Sequence, residues 1–130
     1  MTNGCVMRCE LDADLAEVGT ARRFIRANLA DVSDEVNADA QLVASELVTN
    51  AVEHGTGGPV VMALRREPAS LALTVESVGP APEVGAVDEW EVAPVEQITG
   101  RGLGIVRSIA DRVDVSRRNG RLVITACLAF

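Results

Sequence analysis

Glu46 and Asn50 stand four residues apart in the stretch Gln41-Leu-Val-Ala-Ser-Glu-Leu-Val-Thr-Asn-Ala-Val-Glu-His54. On a helix that spacing stacks the two side chains one turn apart. A carboxylate and a carboxamide so placed can hold a cation and orient a hydroxyl or a water. At about 100° per residue, Val43, Ala44, Leu47, Val48, Ala51 and Val52 form one broad apolar face, with Glu46 and Asn50 on its flank. A pocket opens at such a flank, but so does the ordinary boundary between an amphipathic helix and solvent. Periodicity alone leaves both readings open.

A second cluster reads Gly100-Arg101-Gly102-Leu103-Gly104 and opens a segment with Leu103, Val106, Ile109, Ala110 and Val113 at helical spacing. Glycines let the backbone approach phosphate oxygens, and the free amides of a helix's first turn attract anions. Arg101 can reach a phosphate or lie solvated. The plainer alternative is a glycine-rich turn ahead of a helix. The pattern G-x-x-x-x-G-K-[ST] is absent, so this is not a P-loop. His54 is the single histidine, with no acid placeable beside it, and reads as structural. Cys5, Cys9 and Cys127 are an odd set without a second ligand pair, and read as free thiols rather than a zinc site or disulfide framework.

The elements that must position these residues follow from periodicity. Residues 5–11 suit a strand. Leu15, Val18, Ala21, Ile25 and Leu29 mark one face of a helix, with Asp14 and Glu17 as its capping box. Asn37 can cap the second helix, which runs to about His54. Strands are expected at about 60–66 and 71–78, then at about 112–117 and 121–128 around an Asn119-Gly120 hairpin turn. Between them residues 79–100 carry three prolines and no clean period, the composition of a functional loop. Three helices and about five strands predict an α+β fold, a two-layer sandwich of helices over a mixed sheet.

At 130 residues the chain reads as one domain, 1–130. Its core must be aliphatic, since 48% of residues are hydrophobic and only 2% aromatic. A net charge of −7 argues against nucleic acid as the primary partner, because phosphate backbones need a cationic surface. All twelve basic residues are arginines, which with the abundance of Ala, Val and Gly points to a high-GC bacterial genome. No apolar run suits a signal peptide or a membrane span, and a cytoplasmic protein is expected.

The ten residues Glu46-Leu-Val-Thr-Asn50-Ala-Val-Glu-His-Gly55 resemble the asparagine-bearing box of the GHKL ATPase superfamily, which includes gyrase and the histidine kinases. They are most similar to anti-sigma-factor serine kinases of the RsbW and SpoIIAB type. The resemblance implies a histidine-kinase-like fold, ATP as ligand, Glu46 as general base and Asn50 as a Mg²⁺ ligand. Gly100, Arg101, Gly102, Leu103 and Gly104 then correspond to the second glycine box, and residues 82–99 to a lid that carries Trp90. The implied partners are a STAS-type anti-anti-sigma protein and a sigma factor, with a homodimer as the implied assembly.

The same resemblance places an adenine-binding box, D-x-G-x-G, after the strand Leu71–Val78. Here that box reads Ser77-Val78-Gly79-Pro80-Ala81: Ser77 replaces the acid, Gly79 is kept, and Ala81 replaces the second glycine. Strand alternation puts Ser77 on the face of Leu71, Leu73 and Val75, and turns Glu76 away. Ser77 can still accept a hydrogen bond, without the charge. Such a departure implies weaker adenine recognition, or a partner-sequestering module that has lost productive ATP use.

Overall fold

The computed structural model describes residues 6–55, 57–78 and 101–130, with 101–103 as backbone only. In chain order the elements are β1 (Val6–Leu11), α1 (Glu17–Asn28), α2 (Asp34–His54), β2 (Val60–Glu67), β3 (Ser70–Val78), α3 (Arg101–Ile109), β4 (Arg112–Arg118) and β5 (Arg121–Ala129). The strands form one sheet in the order β1-β2-β3-β5-β4, with the helices packed on one face. All four pairings are antiparallel, where a mixed sheet was expected. The α+β sandwich stands; each strand meets its neighbour by reversal, so the sheet needs no parallel crossover.

Alternation along β3 decides which side chains reach the helices. Leu71, Leu73, Val75 and Ser77 are buried, whereas Ser70, Ala72, Thr74, Glu76 and Val78 are half-buried on the other face. There Thr74 and Thr125 touch hydroxyl to hydroxyl at 3.1 Å, and Glu76 lies 3.8 Å from Arg121. The helix-side layer joins Leu73, Met62, Leu64 and Ile124 to Val43, Leu47 and Val48 of α2 and Ile25 of α1. The hairpin turn has Asn119 and Gly120 at φ 54° and 79°. Both lie in the left-handed region a tight two-residue turn requires.

Two helix starts differ from expectation. α1 begins at Glu17 with no side-chain cap. Asp14 accepts a bond from the Ala16 amide at 2.9 Å, making a turn of its own rather than a capping box with Glu17. Leu15 therefore falls outside the helix and is exposed. α2 starts earlier than expected, with Ser33 as its cap: Ser33 Oγ accepts from the Val36 amide at 3.2 Å. Asn37 lies inside α2, where its Nδ2 donates to the Leu29 carbonyl at 2.8 Å. It thus closes the end of α1, satisfying a carbonyl that a helix C-terminus leaves open.

Candidate nucleotide site

α2 is buried along most of its length because it lies between the sheet, α1 and α3. Val43, Ala44, Leu47, Val48 and Ala51 are all buried, as the apolar face requires, and Val52 is half-buried. Asn50 is buried as well, at 6% exposure. Its Nδ2 has no hydrogen-bond partner among the described residues. Leaving a buried amide donor unpaired costs about 1–3 kcal/mol. Asn50 is thus a polar side chain set in a layer of valines and leucines. Glu46, one turn earlier, is half-buried.

Ser45, the residue before Glu46, makes contacts that periodicity does not disclose. Ser45 is buried and donates to the Gln41 carbonyl at 2.8 Å. Arg22 of α1 donates to Ser45 Oγ at 3.2 Å. An α1 guanidinium is thereby fixed beside the residue preceding Glu46. Nothing in the sequence marks Arg22 as the neighbour of Ser45, since 23 residues separate them.

Ser77 is buried at 5% exposure on the helix-side face of β3, and Glu76 faces away, as alternation predicts. Ser77 pairs in register with Leu122, which pairs in turn with Arg117. A neutral hydroxyl, an aliphatic side chain and a half-buried guanidinium thus share one row across the inner sheet. The end of β3 is held to the end of α2 by glycines: a Cβ on Gly58 would stand 3.1 Å from the Val78 Cβ. Gly55 and Gly58 were visible only as a turn-rich break; their role is the close approach of α2 to β3.

α3 packs on α2, and Val106 anchors it in the core. Arg101, Gly102, Leu103 and Gly104 form its first turn. A Cβ on Gly104 would meet nothing within 4 Å among the described residues. Gly79, Ala81, the expected lid 82–99 with Trp90, and Gly100 lie outside the described residues. His54 is exposed in the last turn of α2 rather than buried as a structural histidine. Cys9 and Cys127 are free, and burial, with the carboxylate of Glu17 second, pushes the Cys9 thiol up from its ordinary value.

The fold is one layer of helices on one sheet, with the asparagine-bearing helix packed against β3, α1 and α3. The family model for the histidine kinase-like ATPase domain matches residues 11–128, and the chain belongs to that family. Among solved structures it is similar to the RsbU and RsbW domains of Rv1364c from Mycobacterium tuberculosis, with a TM-score of 0.72 and 20% identity. That match covers 96% of this chain and 32% of the other, so the chain spans about a third of that protein's length. It is also similar to the Acinetobacter baumannii histidine kinase AdeS, with a TM-score of 0.55 and 14% identity over 95% of this chain and 67% of that one. At these identities the likeness is one of fold. No curated protein matches the sequence.

Family membership implies ATP, generally with Mg²⁺, and the residues present fit that group. Asn50 offers a buried carboxamide with an unsatisfied donor. Glu46 adds a carboxylate one turn away, and the first turn of α3 adds backbone amides. Among the described residues no cluster of three His, Cys, Asp or Glu could hold a metal by itself. A metal here would draw most of its ligands from phosphate oxygens and water, as Mg²⁺ commonly does.

Proposed function

We propose that this chain is an ATP-binding regulatory protein acting in the cytoplasm, a serine-protein kinase of the anti-sigma-factor type. Its substrate on this reading is a STAS-domain anti-anti-sigma protein, with a sigma factor as second partner and a homodimer as the working assembly. The observation that carries the reading is the buried amide of Asn50, one turn beyond Glu46, whose nitrogen has no partner among the described residues. Asn50 would hold Mg²⁺, which when bound neutralises charge on the phosphate tail. The first-turn amides of α3 at Gly102 and Gly104 cradle the phosphates, and Arg101 adds a cation. Glu46 orients the serine hydroxyl and takes its proton as that oxygen bonds to the γ-phosphorus and the bond to ADP breaks. Catalysis in this arrangement is mainly positioning.

A second reading is supported by Ser77. Where a carboxylate would accept a charge-assisted bond from adenine, Ser77 offers a neutral hydroxyl. A sequestering module with the same fold and weak or no ATP binding would tolerate that change.

Calorimetric titration with Mg²⁺-ATP, followed by phosphoryl transfer to a STAS-domain protein, separates the two. The kinase reading expects saturable, Mg²⁺-dependent binding. It also expects Glu46→Gln to lower transfer by roughly 10²–10⁴-fold with partner binding kept. Absence of binding at millimolar ATP would leave the sequestering module.

A further inference from the structure

The face of the sheet turned away from the helices carries two adjacent cross-strand rows, Val6-Arg65-Ala72 and Ala63-Thr74-Thr125. Alanines at 63 and 72 leave a gap between larger neighbours, and these six residues line a recess of about 250 Å³. Sites for drug-sized ligands run to roughly 300–1,000 Å³, so this recess suits a smaller molecule. Val6, at 55% exposure, gives it an apolar side chain with little cover.

The polar groups of the recess are donors. Arg65 is exposed and has no hydrogen bond or ion pair among the described residues. Arg8, opposite Ala63 and so diagonal to Arg65, has none either. The Thr74 and Thr125 hydroxyls stand 3.1 Å apart. One donates to the other, which leaves the second hydroxyl's hydrogen for a ligand. No acid lines the recess. On the same face Asp114 is paired with Arg112 at 2.9 Å, and Glu76 lies 3.8 Å from Arg121. In a chain of net charge −7, two neighbouring arginines without a counter-charge make an uncompensated positive spot.

We propose that this recess is a binding site for a small organic carboxylate. The planar guanidinium of Arg65 takes the carboxylate through a two-pronged, charge-assisted pair. The remaining threonine hydrogen is donated to the same group, and the hydrocarbon body covers Val6, Ala63 and Ala72. Inorganic phosphate would satisfy the donors and leave that apolar floor wet, so the lining favours an acid with a carbon skeleton. Thr74 faces the recess, whereas Ser77 of the same strand faces the helices. The recess is therefore separate from the nucleotide site, and its occupancy does not depend on the function proposed above.

Backbone amide NMR spectra of the full chain titrated with benzoate test this, with benzamide as the uncharged counterpart and inorganic phosphate as the bare anion. Benzoate is expected to bind saturably with a Kd of about 1 mM or tighter, alike with and without Mg²⁺-ATP. The amides that shift should be those of β1, β2, β3 and β5 around the recess. Benzamide and phosphate should each bind at least about tenfold more weakly, and so should benzoate to Arg65→Gln. Arg118→Gln, which changes an exposed arginine of the same face away from the recess, should leave the affinity unchanged. The same spectra report whether each variant is folded. Benzamide binding as tightly as benzoate overturns the proposal, and so does phosphate binding as tightly. Equal losses in Arg65→Gln and Arg118→Gln, an unaffected Arg65→Gln, shifts centred on α2 and α3, or no saturation by about 50 mM benzoate overturn it as well.

Discussion

Gly55, which caps α2, lies against the carbonyl of Val78, which ends β3: a Cβ at position 55 would stand 3.3 Å from that oxygen. It would also fall 2.5 Å from the Ala51 carbonyl oxygen, closer than real Cβ contacts allow. The helix bearing Glu46 and Asn50 and the strand bearing Ser77 are thereby joined at one end. Gly55→Ala should force the two apart and cost about 1–3 kcal/mol, read as a lower Tm. Mg²⁺-ATP affinity should fall in the same variant by more than in an equally destabilised core variant such as Ile25→Val.

Asn50→Leu tests whether the unpaired amide serves a ligand. The change removes an orphan donor and fills its place with carbon, so unfolding measurements should show unchanged stability or a gain of about 1–2 kcal/mol. Mg²⁺-ATP binding should be lost in the same protein. A structural asparagine would give the opposite pattern, a lower Tm with binding kept.

Ser77→Asp restores a carboxylate to the buried end of β3. Without nucleotide the variant should be less stable, since a buried carboxylate lacks a partner there. With nucleotide the added charge-assisted bond is worth about 1–2 kcal/mol, or roughly 5- to 30-fold tighter ATP binding by calorimetry. GTP, whose base offers a carbonyl where adenine offers an amino group, should gain nothing.

Asp31, between α1 and α2, is held by Arg66 of β2 through two bonds of 2.8 and 3.0 Å. Arg66, chiefly by hydrogen bonding, holds the Asp31 carboxyl below its ordinary value. A carboxyl lowered by folding stabilises the fold above its unfolded pKa, and that contribution is lost as pH falls through the folded value. Asp31→Asn should therefore lower the Tm at neutral pH and leave it unchanged at a pH below the depressed value. Thermal melts of both proteins across the acid range check the sign, and high salt should shrink the difference, since Asp31 is solvent-exposed.

Much of this site was legible in the sequence because it rests on local periods. The orientation of Ser77 and Glu76 follows from two-residue alternation, and the burial of Val43, Leu47, Val48 and Ala51 from the 3.6-residue turn. Helix starts were less legible, because a cap depends on which of several polar residues wins a backbone amide. Asp14 spends its carboxylate on Ala16, and Ser33 takes the role expected of Asn37. Asn37 is claimed instead by the carbonyl of Leu29, eight residues away in sequence.

By itself the sequence determined that this is an aliphatic α+β domain, with a carboxylate and a carboxamide one turn apart and glycines ahead of a later helix. Those are properties of short segments, and short-range geometry is carried by residue type and spacing. Only the tertiary structure decided that Asn50 is buried with an amide nitrogen unpartnered among the described residues, that Arg22 is anchored on Ser45, and that Gly55 seats α2 on Val78. It also decided that β1 stands at the sheet's edge with Arg8 and Glu10 facing apolar neighbours. Each depends on which elements the chain brings side by side, a choice made by packing the whole core at once rather than by any one segment.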